Sequence, residues 1–302
     1  METIHRDFAD KGVRLFLVYK TLAHPEQYGY VRPFSLQERL NHIQEAKRTL
    51  GTTIPWLCDA LDNRFKHAMG DANNSEFVIG PDGKILHMRD WSNPQLLRNE
   101  LTALVGPVDE PTQVADLNLK TPQRKAVAAS GVVPRIKLPT QMRPIQVQPQ
   151  DSGQPFYVKL RAEVDPRVLT SGTGALYLGF HLDPLYQVHW NNLVAPVEFK
   201  IEAAGKTKVT PAAGKGPQVK TEADVDPREF LVQLDNASAD QPLEVTVRYF
   251  ACNDEQGWCK EITQRYVIRI EGDRDAGRRS AGGGRGAGFR GGSRPRPGDF
   301  NR

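Results

Sequence analysis

From residue 155 to residue 271 the apolar side chains fall on every second position, and that spacing constrains this chain more than anything else in it. In "FYVKLRAEV", Phe156, Val158, Leu160, Ala162 and Val164 alternate with Tyr157, Lys159, Arg161 and Glu163. "LEVTVRY" (243–249) and "RYVIRI" (265–270) repeat the pattern, and "GALYLGFHL", "VEFKIE" and "EFLVQL" are further strands. A period of two places successive side chains on opposite faces of a sheet, so the region is expected to be all-β, an antiparallel sandwich of short strands. "AAGKTKVTPAAGKGP" (203–217) reads as a surface loop excursion.

Residues 1–106 follow other periods, in the order αβαβαββα. Ile4 and Phe8 share one face of a short first helix, and "VRLFLVY" (13–19) is apolar enough for a strand covered on both sides. "SLQERLNHIQEAKRTLG" has capping-box spacing at Ser35 and Glu38, an apolar stripe of Leu36, Leu40, Ile43 and Leu50, and a stop at Gly51. "TIPWLC" is the next strand, "DALDNRFKHAMG" a helix ending at Gly70, and "SEFVIGPDGKILHMRDW" a hairpin turning at Pro81-Asp82-Gly83. A last helix opens with Asn93 as cap and Pro94 in its first turn. Between the two regions, seven prolines punctuate residues 107–154, which read as a linker.

Residues 272–302 are of low complexity, and "GGGRGAGFRGG" has too little apolar content to offset chain entropy, so a disordered tail is expected. From Asp273 onward eight arginines face three aspartates, a charge of +5, which leaves −1 for the rest of a chain whose total is +4. The argument for nucleic-acid binding therefore rests on an RNA-binding-like tail alone, and nucleic acid is not the expected partner. No apolar run reaches the length of roughly 18–20 residues that a membrane-spanning helix needs.

Three cysteines are too few for a disulfide-dense scaffold. Cys58, between an apolar strand and a helix, reads as a small buried hydrophobe. Cys252 and Cys259 flank "NDEQGW", where one strand ends and the next begins. Facing hairpin positions suit a disulfide. A loop this short gains only about 2.5 kcal/mol from cross-linking in the chain-entropy picture. Zinc would need two more ligands, and His181 and His189 lie in another strand region. The residues themselves leave both a structural staple and an exchanging dithiol open. They call for no metal and no cofactor.

Two resemblances bear on this choice. "VYKTLAHPEQYGY", "LCDALDNRFKHAMG" and "FVIGPDGKILH" resemble the iodothyronine deiodinase and peroxiredoxin-like group of the thioredoxin-like fold. That likeness implies an α/β thioredoxin-like domain over 1–106, incomplete at its amino terminus. The strand that delivers the reactive cysteine or selenocysteine would precede Met1. It makes His24 a proton donor or substrate contact, beside the plain reading of His24 as a loop residue. "DANNSEF" lacks the proline that thioredoxins place before the hairpin strand. "VRYFACNDEQGWC" and "LYQVHWNN…APVEF" are similar to the immunoglobulin-like amino-terminal domain of the bacterial thiol:disulfide interchange protein. That second likeness covers 155–271. It implies that Cys252 and Cys259 cycle between dithiol and disulfide with a redox partner protein, a membrane-bound electron donor among the partner classes, in an extracytoplasmic compartment. Here the cysteine spacing is one residue longer and no proline follows the second cysteine. The competing reading is a non-enzymatic binding module whose hairpin disulfide is structural.

Overall fold

The computed structural model describes residues 1–26, 30–119, 126–150 and 153–277; the arginine-glycine segment 278–302, expected to be disordered, lies outside them. The chain is mostly strand, with few helices. In the first hundred residues the order is α1 (Glu2–Ala9), β1 (Leu17–Tyr19), α2 (Leu36–Leu50), β2 (Trp56–Cys58), α3 (Arg64–Ala68), β3 (Glu76–Ile79), β4 (Ile85–Arg89) and α4 (Pro94–Val105). β1 and β2 pair in parallel, while β3 and β4 form a separate antiparallel pair. Ile4 and Phe8 of α1 pack on Leu97 and Leu101 of α4. The caps lie where the sequence pattern places them. The Ser35 side chain accepts from the N–H of Glu38, and Asn93 accepts from those of Gln95 and Leu96.

α2 departs from its expected face. Leu36, Leu40 and Leu50 are exposed, and the helix buries Glu38, Arg39, His42 and Ile43 instead. The reason is hydrogen bonding at long range. Arg39 donates to the carbonyls of Asp59 (3.0 Å) and Ala60 (2.7 Å) and to Asn63 Oδ1 (2.7 Å). Glu38 reaches Lys159 on the large sheet.

That sheet comprises β5 (Arg143–Pro149), β6 (Val158–Val164), β7 (Gly174–Leu182), β8 (His189–Asn191), β9 (Glu198–Ala203), β10 (Lys208–Thr210), β11 (Ala213–Lys215), β12 (Ala223–Asp224), β13 (Arg228–Asp235), β14 (Leu243–Asn253) and β15 (Trp258–Gly272). Its main path runs β10-β13-β7-β6-β5-β15-β14-β8-β12, with β9 also on β14 and β11 on β9, and all these pairings are antiparallel. The sheet doubles over on one core. Phe199 of β9 meets Phe180 of β7 and Phe230 of β13, with ring centroids 6.4 and 4.6 Å apart. Inside, the Tyr266 hydroxyl donates to the Val158 carbonyl at 2.7 Å, and that of Tyr249 donates to Gln264 at 2.7 Å, so the buried phenols are satisfied.

Two segments differ from expectation. Within the stretch 107–154 read as a linker, Arg143–Pro149 is β5, the strand that joins the two halves of the sheet. Its Arg143 and Pro144 pair with β6, and Ile145–Pro149 pair with β15. The two prolines lie at the ends of β5's ladders, where a missing N–H costs least. Ahead of β5, residues 131–136 are held down by two carboxylates. Asp226 accepts from the N–H groups of Gly131, Val132 and Val133, and Glu229 from that of Ile136. The excursion over 203–217 is not all loop, because β10 and β11 lie within it.

Every residue of β6 is buried. Val158, Leu160, Ala162 and Val164 face the core, as alternation requires. Lys159, Arg161 and Glu163, on the opposite face, are buried too, with Lys159 and Arg161 covered by the amino-terminal elements and by residues 273–277. Lys159 lies between Glu38 and Asp183, and Tyr186 donates its hydroxyl to Glu38 at 2.7 Å. Arg161 donates to the carbonyls of Ala276 (2.8 Å) and Gly277 (3.1 Å). Residues 273–277, expected to belong to the disordered tail, form a strap. Asp273 pairs with Arg32, Asp275 with Lys66 (2.8 Å) and His67 (3.1 Å), and the Asp275 carbonyl accepts from Thr21.

Candidate functional site

The β14–β15 hairpin runs in unbroken register from Leu243↔Ile268 to Asn253↔Trp258, and Cys252 sits opposite Cys259. The two are joined as a disulfide, with Cα atoms 4.0 Å apart. The turn beyond them is Asp254-Glu255-Gln256-Gly257, and Gly257 supplies a positive φ of 68°. Asn253 fixes its base: Oδ1 accepts from the Gln256 N–H at 2.7 Å, and Nδ2 donates to the Tyr186 carbonyl at 2.8 Å.

The two sulfurs occupy different surroundings. Cys252 is 3% exposed, whereas Cys259 is exposed. The far edge of β14 explains this asymmetry, because β8 pairs there with Cys252↔His189 and Ala251↔Trp190. Cys259 belongs to β15 and lies on the open side of that row. Paired residues of adjacent strands share a face, so His189, Cys252 and Cys259 form a row across β8, β14 and β15. The His189 ring is buried; its Nδ1 lies 3.0 Å from the Trp190 carbonyl and its Nε2 3.1 Å from Asp254 Oδ1. Trp190 points the other way. Its ring meets Tyr249 edge-on at 5.6 Å and its N–H donates to the Asp226 carbonyl at 2.7 Å.

Below the turn lies an aromatic rim. Tyr157 contacts Tyr186 and Trp258, and the Lys260 ammonium sits 4.4 Å from the Trp258 centroid and 5.0 Å from that of Tyr157. An open cleft of about 330 Å³ borders it, lined by Pro155, Tyr157, Tyr186, Asn253, Glu255 and Gln256. Burial, and then the Glu38 carboxylate, push the Tyr186 phenol well above its ordinary range, so Tyr186 is a hydrogen-bond donor here.

The other residues singled out from the sequence lie elsewhere. His24 is exposed in the loop after β1; its neighbour Pro25 is buried, with Gly277 packed against it. The loop's contacts run to the strap, through Thr21 and Asp275, and to Arg161, through Glu26. Cys58 is half-buried at the end of β2, paired with Tyr19 across the parallel ladder. Burial raises its thiol above the ordinary range, with the Arg39 guanidinium pulling the other way, so Cys58 is not an activated thiolate. Among the described residues no three His, Cys, Asp or Glu side chains converge to hold a metal ion, and no helix is long and apolar enough to cross a membrane.

Sequence reasoning found the cysteine pair but missed Asp254 and the unequal cover of the sulfurs. Both depend on β8 reaching β14 from more than sixty residues away, and no local pattern encodes that register. No protein-family model matches this chain, and no match is found among curated proteins or solved structures.

Proposed function

We propose that this protein exchanges electrons with a partner protein through Cys252 and Cys259. The supporting observation is the position of the disulfide. It joins directly opposed residues of a hairpin already paired at eleven consecutive positions. It closes a loop so short that cross-linking contributes only about 2.5 kcal/mol. It adds little as a staple, yet one of its two cysteines is exposed.

The chemistry follows from that exposure. A thiolate of a partner dithiol attacks Sγ of Cys259, the exposed sulfur, forming a mixed disulfide. The Cys252–Cys259 bond breaks, and Cys252 leaves as thiolate with the electron pair. The partner's second thiolate then attacks its own linked sulfur and releases Cys259. The pair has gained two electrons, the partner has become a disulfide, and of the partner's two protons one goes to Cys259 and one to solvent. The reverse sequence oxidises a partner. The extracytoplasmic location in this reading comes from the likeness to the interchange protein, since transient redox disulfides also occur in reducing compartments.

In this reading the doubled sheet is an immunoglobulin-like sandwich that carries the redox hairpin. The amino-terminal unit is read as thioredoxin-like, with the parallel pair β1–β2 and the hairpin β3–β4 as its strands. The competing reading is a binding module with an inert disulfide, supported by the burial of Cys252. A glutathione redox titration separates the two. A potential above about −300 mV supports exchange, and one well below it marks a structural bond and rejects the proposal.

A further inference from the structure

We infer that His189, held by Asp254, is the positioning residue that supplies a counter-charge to the Cys252 sulfur when the disulfide opens. His189 has this role only if the pair exchanges as proposed above.

The first support is register. His189 is paired with Cys252 on the strand edge opposite Cys259, so the leaving sulfur has the attacked sulfur on one side and the imidazole on the other. Directly opposed residues on one face have Cβ atoms about 4.5–5.5 Å apart. The second is burial. Cys252 is 3% exposed and His189 is 6% exposed, so water does not solvate a thiolate at Cys252 well. An anion in such a place requires a nearby cation or hydrogen-bond donor.

The third support is the hydrogen bonding of the ring. Both nitrogens face oxygen acceptors, the Trp190 carbonyl at Nδ1 and the Asp254 carboxylate at Nε2. A neutral imidazole has one N–H and can donate to only one of them; the imidazolium donates to both. Asp254 is the first residue of the hairpin turn, with its side chain 75% exposed, so its link to the ring ties the turn to β8. The arrangement places the His189 imidazole beside Cys252, the sulfur that leaves, and on the far side of β14 from Cys259, the sulfur that is attacked. That difference favours opening by attack at Cys259 and stabilises the reduced pair. Bond and electron changes are those of the exchange with a partner dithiol; His189 changes the energy of the Cys252 thiolate and forms no bond to it.

The test is the equilibrium between the full-length protein and glutathione at pH 7, read by alkylation and mass, for wild type, His189→Phe and Asp254→Asn. Removing the imidazole is expected to move the equilibrium about tenfold toward the disulfide. Asp254→Asn, at an exposed turn position, is expected to move it two- to threefold in the same direction. A merely structural His189 would stabilise both redox forms alike and leave the equilibrium unchanged. If wild type exchanges and both variants match it, the role of His189 is overturned while the exchange reading stands. If wild type itself stays oxidised at every glutathione ratio, the exchange reading falls, and this role with it. Should His189→Phe fail to fold, the Asp254→Asn result decides: an unshifted equilibrium rejects the inference.

Discussion

Replacing Asp183 with asparagine should make the protein more stable at neutral pH and change little in acid. Asp183 lies at the end of β7, fully buried. Its Oδ1 accepts from the Leu185 N–H at 2.9 Å, and its Oδ2 faces the Lys159 ammonium at 3.5 Å. Lys159 is shared, because Glu38 pairs with it more closely. Burial pushes the Asp183 carboxyl up from 3.8 to about 6; Lys159 and the Leu185 N–H oppose the rise, and the Glu38 carboxylate adds to it. The native state therefore binds more protons than the unfolded chain between about pH 4 and pH 6, and stability falls as pH rises through that window. A difference of roughly two pKa units corresponds to about 3 kcal/mol withheld at pH 7. Asparagine keeps the acceptor for Leu185 and cannot ionise, and Lys159 keeps Glu38. Urea unfolding of both proteins from pH 4 to pH 7 should show the variant gaining about 2–3 kcal/mol on wild type as pH rises, because groups common to both cancel in the difference. A flat difference, or a variant that loses ground toward pH 7, would refute the reasoning and mean that Asp183 is an ionised, well-paired partner of Lys159.

Three other outcomes can be checked. Lys159→Met strands Glu38 and Asp183 without their cation and should cost about 3–5 kcal/mol, whereas the triple variant Glu38→Gln/Lys159→Met/Asp183→Asn should recover most of that in urea unfolding. Gly172→Ala should cost about 2–3 kcal/mol, measured the same way, since Gly172 has a φ of 72° and an added Cβ would lie 2.5 Å from the Ala237 carbonyl oxygen. In the reduced protein, iodoacetamide should label Cys259 at least tenfold faster than Cys252, read by peptide mass; equal rates would contradict the unequal burial of the two sulfurs.

The elements that a local pattern can specify were legible. Ser35 and Asn93 cap their helices, the turn after β3 falls at Pro81-Asp82-Gly83, and alternation locates β6, β7, β13 and β14. What covers each element was not legible. Alternation separates the two faces of β6 but does not say that Lys159 and Arg161 will be buried by charges from α2 and from residues 273–277. The apolar stripe on α2 misled for the same reason, since the helix buries the side where Arg39 and Glu38 find partners far along the chain. β5 was hidden because two prolines argue against an interior strand, and only the handover from β6 to β15 shows why both are tolerated. At the hairpin the pairing of the cysteines followed from their positions in the chain, while the neighbour that makes them unequal came from β8.

The charged outer face of β6 has a consequence for how this chain can be divided. A cut near residue 107, where the composition changes, would hand each fragment half of a set of matched charges. The carboxy-terminal fragment would leave Lys159 without Glu38 and Arg161 without Glu26, and the amino-terminal fragment would present Glu38 and Lys66 to water without Lys159 and Asp275. Expressed alone, neither piece would be expected to behave like the corresponding part of the intact protein. Mixed together, the two should find one another, more slowly at high salt.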